Sequence, residues 1–498
     1  MSRIIILLAT LLYAGASGAT MMELAAHAMS ERLRAADGRK PNIIMIYTDD
    51  QGYADVGCFG SKLIRTPRLD RMAREGTRFT SFYTQPVCGP SRTSLMTGCY
   101  PLRVARWHND FKSWHPLVHE REVTVAEVLK AAGYATAIFG KWDLAGHSED
   151  DYIPKLMPLH QGFDYFFGTP SSNDAKKKPL DLQLKLIQGE KVIEEKADVA
   201  TLTRRYTDEA IGFMRKSQQR PFFVYMAYNM PHVPLAASEQ FIGKSPRGLY
   251  GDVVEELDWN IGRLLDALKE MKLEQYTYVI FASDNGPWYN PRQLGVAYGG
   301  NAEPLRSHKT SPWEGGSRVP CIMWAPGRIP AGRTCDEIAT SMDILPTLAR
   351  LAGGQAPTDR VIDGHDITAL MHGEAGVQSP TKALYFYNHT FLEAVRSGRW
   401  KLQLPRPAHV PWLPNWWRFI KPEDAIEIRE PMLFDLETDI GERHDVAKEH
   451  PDVVQRLLEL AEWTREDIGD YNRVGKNARF FDPQPHRPDA AKWQVKRQ

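Results

Sequence analysis

The chain has 498 residues, in which 62 Lys and Arg are balanced by 62 Asp and Glu. Zero formal net charge with no long basic stretch excludes a nucleic-acid binder, while 43% hydrophobic residues and 13 Trp exclude a disordered scaffold and permit a large buried core. Five cysteines, Cys58, Cys88, Cys99, Cys321 and Cys335, are too few for a disulfide framework and lack the C-x-x-C spacing of a structural zinc site; the 14-residue spacing of Cys321 and Cys335 leaves their pairing open.

At the N-terminus, Arg3 precedes an apolar run from Ile4 to Tyr13 and a small-residue stretch from Ala14 to Ala19. Charged, apolar and cleavage regions in that order predict a signal peptide over 1–19 and a leader over 20–40. The apolar run is too short for a permanent membrane anchor, and no other segment reaches about 18 apolar residues. The expected location is secreted, periplasmic or lumenal in the secretory pathway.

Strand-length apolar runs then alternate with helical segments, the pattern of a mostly parallel sheet sandwiched by helices. Asn42 to Tyr47 stops at Thr48-Asp49-Asp50, and Ala135 to Phe139 stops at Gly140-Lys141-Trp142-Asp143. Phe222 to Ala227 leads to Pro231-His232, and Thr277 to Phe281 ends at Ser283-Asp284-Asn285-Gly286. Among the helices, Thr124 and Glu127 form a capping box with Gly133 closing that helix, and Val253 to Leu268 is amphipathic. Open α/β sheets bind ligands beyond the carboxyl ends of their strands, so these four polar termini are aimed at one crevice. Taken singly, an Asp-Gly or Asn-Gly is a turn and a lone His is a surface or core residue. Adjacent Asp49 and Asp50, however, repel unless a cation or Arg neutralises them. With Asp284 and Asn285 they offer oxygen donors suited to Ca²⁺ or Mg²⁺.

Cys88-Gly89-Pro90-Ser91-Arg92, followed by Leu95-Met96-Thr97-Gly98, sets a Cys two residues before a Pro able to open a helix, where free amides and Arg92 favour an anion. A buried inert Cys is the bland alternative. Here the chain resembles the formylglycine-dependent type I sulfatases of the alkaline phosphatase superfamily, whose C-x-P-S-R signature these residues match. The likeness runs from Pro41 to Ala447 through Gly140-Lys141-Trp142, Gly162-Phe163-Asp164, Pro231-His232, Ser283-Asp284-Asn285-Gly286, Trp313-Glu314-Gly315-Gly316 and Arg318-Val319-Pro320. The runs 168–174 and 247–252 look closest to the arylsulfatase A and N-acetylgalactosamine-6-sulfatase branch.

This resemblance implies an alkaline-phosphatase-like α/β fold and conversion of Cys88 to formylglycine (3-oxoalanine) by a separate maturation enzyme. One hydroxyl of the hydrated aldehyde attacks sulfur and the second expels sulfate, dividing a hard displacement into two steps. It implies one Ca²⁺ at Asp49, Asp50, Asp284 and Asn285, with Cys88 alongside, and Arg92 stabilising the nucleophile. Lys141, His232 and Lys309 surround the sulfate, with His232 or Lys309 as proton donor to the leaving oxygen and Ser172 as a further contact. Relatives carry His two residues after the strand-end Lys; this chain has Asp143, which is placed ahead of His147 as base.

From Leu384 the strands shorten: 384–387, 393–396, 400–403 and 432–436 predict a small antiparallel sheet, with a helix over 452–465 packed on it. The expected divisions are a catalytic domain over 41–380, a C-terminal subdomain over 381–471 and a loosely held tail over 472–498. Two aromatic stretches, one with Trp107, His108, His115 and His119, the other over 405–429 with Trp412, Trp416 and Trp417, suggest either packing or a sugar-stacking rim. The reading is a calcium-dependent sulfuric ester hydrolase acting on a sulfated carbohydrate and detectable with an aryl sulfate. Its rivals are a phosphate or phosphonate ester hydrolase with the same nucleophile and a catalytically silent sulfated-glycan binder.

Overall fold

The apolar runs assemble into an eleven-stranded mixed sheet in the computed structural model, which describes residues 39–106, 117–146, 152–173, 184–289, 299–408 and 423–479. The expected signal peptide and nearly all of the leader lie outside the described residues, as do Trp107, His108, His115, His147, Trp412, Trp416 and Trp417. The strands are β1 (Asn42–Thr48), β2 (Thr77–Tyr83), β3 (Ala135–Lys141), β4 (Tyr165–Thr169), β5 (Leu186–Gln188), β6 (Lys191–Glu194), β7 (Phe222–Ala227), β8 (Thr277–Ser283), β9 (Arg318–Trp324), β10 (Arg333–Cys335) and β11 (Ala339–Thr340). They run β10-β2-β9-β8-β1-β7-β3-β4-β5-β6 across the sheet, with β11 also on β2.

The middle five, β8-β1-β7-β3-β4, are mutually parallel, and the antiparallel strands β9 and β5 flank them. Parallel strands need both faces covered, which is why β1, β3, β7 and β8 read as unbroken apolar runs and are buried along their whole length. Ile43, Met45 and Tyr47 point into one core, shared with Leu95, Leu129, Leu345 and Leu348 from helices Cys88–Thr97, Val125–Ala131 and Ile344–Leu351. Ile44 and Ile46 point into the other, shared with Leu69, Tyr206, Leu257 and Leu264 from helices Pro67–Glu75, Val199–Lys216 and Leu249–Glu270.

Both expected helices are present, the first with Thr124 and Glu127 in a reciprocal capping box. One expectation needs correcting. The Pro90 helix starts two residues earlier, at Cys88, because a proline in the first turn has no intrahelical amide to forfeit.

A second sheet of four antiparallel strands follows, β12 (Leu384–Asn388), β13 (Phe391–Ser397), β14 (Trp400–Gln403) and β15 (Met432–Asp435). Helix Pro451–Asp467 covers it through Leu457 and Ala461 against Leu392, Val395 and Leu402. Where this sheet meets the main body, Lys401 donates to Glu314 Oε1 at 2.9 Å and lies 3.0 Å from Glu442 Oε1, all three fully buried. Glu442 Oε2 accepts the Glu314 amide at 2.6 Å, and Tyr83 and Arg318 complete Glu314.

Cys321 and Cys335 both stand opposite Phe79, but on the two different neighbours of β2. Two strand spacings, about 9.5 Å, exceed disulfide reach, and both thiols are free. The start of the expected loose tail is held: Arg473 and Val474 pair with Asp470 and Gly469, and Arg479 bonds Glu122, the Val361 carbonyl and Cys99. Among the described residues, no helix is long and apolar enough to cross a membrane.

Candidate active site

Strand order puts the four polar termini side by side. Ser283 is in register with Thr48, Tyr47 with Ala227, and Ala227 with Gly140, so Asp284, Asp49, His232 and Lys141 issue from four adjacent parallel strands at one end of the sheet. Backbone bonds lock these exits together: the Asp284 amide donates to the Thr48 carbonyl at 2.9 Å and that of Asp49 to the Met230 carbonyl at 3.1 Å. Gly140, just before Lys141, has φ +118°, and a Cβ there would stand 1.9 Å from the Ala227 carbonyl oxygen. Only glycine lets β3 press so closely on β7 and present Lys141.

Helix Cys88–Thr97 enters from the side, with Cys88 as its first residue and 4% exposed. The loop carrying Lys309 bridges the approach to that helix and the exit from β8: the Thr310 amide donates to the Pro86 carbonyl at 2.8 Å and the Lys309 amide to the Pro287 carbonyl at 3.1 Å. Of the seven non-glycine residues with positive φ among the described residues, five lie here or in the Glu314 cluster: Asp50, Asp143, Ser307, Thr310 and Glu442. Such backbone strain persists where surrounding contacts over-determine it.

Lys309 Nζ donates to Asp50 Oδ1 and lies 3.4 Å from Cys88 Sγ. Lys141 Nζ donates to Asp49 Oδ2 at 2.8 Å and sits 3.2 Å from Asp143 Oδ2. Arg92 donates to Asp284 Oδ2 at 2.9 Å and to the Tyr225 hydroxyl at 3.2 Å, with Tyr47 beneath its guanidinium. His232 Nδ1 pairs with the Val233 carbonyl, which only accepts; Nδ1 therefore carries the proton, and Nε2 faces Asp50 Oδ2 at 3.7 Å. Ser172 is buried on the segment after β4, where Asn173 Nδ2 donates to the His232 carbonyl at 3.1 Å. The sequence-predicted residues Asp49, Asp50, Cys88, Arg92, Lys141, Asp143, His232, Asp284, Asn285 and Lys309 are thus brought together, with Ser172 one contact out.

Burial by itself would raise the Asp49 carboxyl, but Lys141, His232, Arg92 and Lys309 outweigh it and hold Asp49 well below the usual carboxylate range. Asp284 goes the other way, pushed up to about 7 by burial and the Asp49 charge despite Arg92. Burial drives the Cys88 thiol far above its ordinary value against the pull of Lys141 and Lys309. A thiol held protonated is a weaker nucleophile than a thiolate.

The cluster sets Asp49, Asp50, Asp143 and Asp284 against three permanent cations, Arg92, Lys141 and Lys309. Among the described residues, three buried oxygens of the Asp49, Asp50 and Asn285 group have no hydrogen-bond partner: Asp49 Oδ1, Asp50 Oδ2 and Asn285 Oδ1. Ligand atoms of Asp49, Asp50, Cys88 and His232 lie within 4.8 Å of one another. Orphaned carboxylate and amide oxygens beside surplus negative charge fit a hard divalent cation. Asp284 meets this group through its bonds to the Asp50 amide and Arg92.

Sequence reasoning missed Tyr47 and Tyr225 behind Arg92, and Asn173 and Asn229 beneath the His232 and Ser171 segments. The tyrosines stand mid-strand and read as ordinary core. Asn173 carried a signal, lying within the family-like 168–174 run.

A profile described as Sulfatase matches residues 41–354, and one described as the C-terminal region of aryl-sulfatase matches 379–487. The chain belongs to the sulfatase family. This sulfatase is 35% identical over 464 residues to the N-acetylgalactosamine-6-sulfatase of Canis lupus familiaris, covering 85% of each protein. It is 35% identical over 461 residues to the arylsulfatase A of Homo sapiens, covering 85% of this chain and 88% of the relative. The solved structure of Ps i-CgsB in complex with k-i-k-neocarrahexaose superposes with a TM-score of 0.70 at 30% identity, over 86% of this chain and 93% of that one. The expected alkaline-phosphatase-like fold is present, and the chain is an enzyme that hydrolyses sulfate esters.

Proposed function

We propose that this sulfatase cleaves sulfate monoesters of a sulfated carbohydrate, using a formylglycine made from Cys88 and a Ca²⁺ held by Asp49, Asp50, Asp284 and Asn285. The observation that carries the reading is the trio of orphaned oxygens, Asp49 Oδ1, Asp50 Oδ2 and Asn285 Oδ1, set next to a Cys at a helix N-terminus with Lys309 3.4 Å from its sulfur. The carbohydrate class is supported by an N-acetylgalactosamine-6-sulfatase among the relatives and by the oligosaccharide complex of Ps i-CgsB.

When bound, Ca²⁺ would neutralise the surplus carboxylate charge and polarise the sulfate oxygens, and the hydrated aldehyde would supply an attacking hydroxyl plus a second one for sulfate release. The remaining work falls to side chains of the chain itself. Lys141 and Lys309 donate to sulfate oxygens whose charge shifts in the transition state, from positions fixed by Asp49, Asp143 and Asp50. His232 turns Nε2 into the site because Nδ1–H is committed to the Val233 carbonyl; a second proton, taken up from solvent at Nε2, is the one it hands to the leaving oxygen. Arg92, fully buried, holds Asp284 and steadies the nucleophile from behind. Ser172 borders the sulfate. Asp143, 3.2 Å from Lys141, accepts the nucleophile's proton in place of the usual histidine, with His147 the other candidate.

The test is a mass spectrum of the Cys88 peptide from protein made with a formylglycine-generating enzyme, paired with assays on 4-nitrophenyl sulfate and its phosphate analogue. An aldehyde at Cys88, preference for sulfate, and loss of at least about a thousandfold in turnover for a folded Cys88→Ala variant are expected. Unmodified Cys88 in active enzyme would overturn the nucleophile. Preference for phosphate would move the chain to the phosphorus-ester reading, and modified but inactive protein to the silent binder.

A further inference from the structure

Asn285 and Gly286 carry the chain out of β8, and the residues that follow lie against the Lys309 loop. Gly286 permits the approach: a Cβ there would stand 1.8 Å from the Gly315 carbonyl oxygen. The two loops interleave rings and cations. Lys309 Nζ lies 5.5 Å from the centre of the Trp288 ring, and Tyr289 stacks on His308 with centroids 4.6 Å apart and planes inclined by 23°. Because Lys309 also reaches Cys88 Sγ at 3.4 Å, the indole is one side chain removed from the reacting position.

Other aromatic groups around the cluster, Tyr47, Trp142 and Tyr225, are sealed beneath it at 0 to 1% exposure, whereas Trp288 and Tyr289 are only half-buried. An indole with part of its surface open, beside a site for a small anion, is placed to meet whatever that anion is attached to. Sugar C–H faces and aryl rings both stack on an indole ring. Lys309, drawn to the same ring by cation–π attraction, restrains the indole and ties its position to that of the sulfate.

We propose that Trp288 is a specificity-determining residue: the platform on which the ring of the leaving group stacks while the sulfate sits among Lys141, His232 and Lys309. This rests on the hydrolase reading above. The sulfate is common to all substrates, so selection must come from contacts with the alcohol part, and the platform favours ring-bearing esters.

The experiment compares wild type, Trp288→Ala and Trp288→Phe with 4-nitrophenyl sulfate. It repeats the comparison by calorimetry in a Cys88→Ala background with 4-nitrophenyl sulfate and with inorganic sulfate, which has no ring. Trp288→Ala is expected to raise KM about tenfold, equivalent to about 1.4 kcal/mol, with kcat changed less than about threefold; Trp288→Phe stays within about twofold. In the Cys88→Ala protein, affinity for the aryl sulfate falls by the same factor and that for inorganic sulfate does not move. An unchanged KM overturns the proposal. So does a fall in kcat with equal loss of inorganic sulfate, which would mean that the indole only holds Lys309. Trp288-dependent binding by wild-type protein that turns over nothing would sink the hydrolase reading and leave the platform standing; no binding of the aryl sulfate at all would sink both.

Discussion

Two clusters of buried charge lie on either side of the Lys309 loop, and they are finished differently. In the Glu314, Lys401 and Glu442 cluster every carboxylate oxygen meets a donor from lysine, arginine, tyrosine, glutamine or backbone. In the Asp49, Asp50, Asp284 and Asn285 cluster two carboxylate oxygens and one amide oxygen meet none among the described residues. Burying an acceptor without a partner costs about 1 to 3 kcal/mol, so evolution tolerates a set of them only where something else completes the site. The completed network joins the two sheets, and the incomplete one lies beside Cys88, where the proposed metal would complete it.

The hardest blow to this contrast is chelation. Removing the metal should lower turnover at least about a hundredfold and also lower the melting temperature, with Ca²⁺ restoring both. Metal analysis should give one calcium per chain, and a chain that contains none while active would show that the orphaned oxygens are satisfied some other way.

Lys401→Met attacks the completed cluster. It strands Glu314 and Glu442 without their shared cation, and a stability loss of about 3 to 5 kcal/mol is expected in denaturant titration. Adding Glu442→Gln should recover part of it, whereas Ca²⁺ should not. A loss below about 1 kcal/mol would mean that the cluster is no more than tolerated.

The smallest effect concerns a buried acid outside both clusters. Asp343 accepts the Thr340 and His365 amides at 2.7 Å, with the His365 ring 3.9 Å away, and burial pushes its carboxyl up to about 7. Folding therefore tightens its hold on a proton. The stabilisation is complete below the unfolded value, about pH 4, and is lost as pH rises through 7. Wild type should melt lower at pH 8 than at pH 5.5, and Asp343→Asn should narrow that gap by about 1 to 3 °C. An unchanged gap would put the pH dependence elsewhere.

The incomplete cluster was largely legible in the sequence, and the complete one was not. Asp49, Lys141, His232 and Asp284 each follow an apolar run buried on both faces, and parallel strands must end at a common edge, so pattern alone predicts convergence. Glu314 belonged to a recognisable motif, but nothing in the spacing of Lys401 and Glu442 links them to it; they meet only because β14 packs against the loop after Trp313. Trp288 was passed over for a related reason, since a lone aromatic after a turn gains meaning only when Lys309 is found against it. Proline as a boundary marker sets the Cys88 helix two residues too late, because its missing amide is harmless anywhere in the first turn.

The sheet tapers toward both margins. β6 is four residues long with Lys191, Ile193 and Glu194 along it, and β10 on the far side has three. Short, charge-bearing margins offer a neighbouring molecule little continuous backbone on which to extend the ladder. Eleven strands built around a catalytic centre thus end without becoming a template, and crowded copies of this enzyme should resist stacking sheet to sheet into fibres.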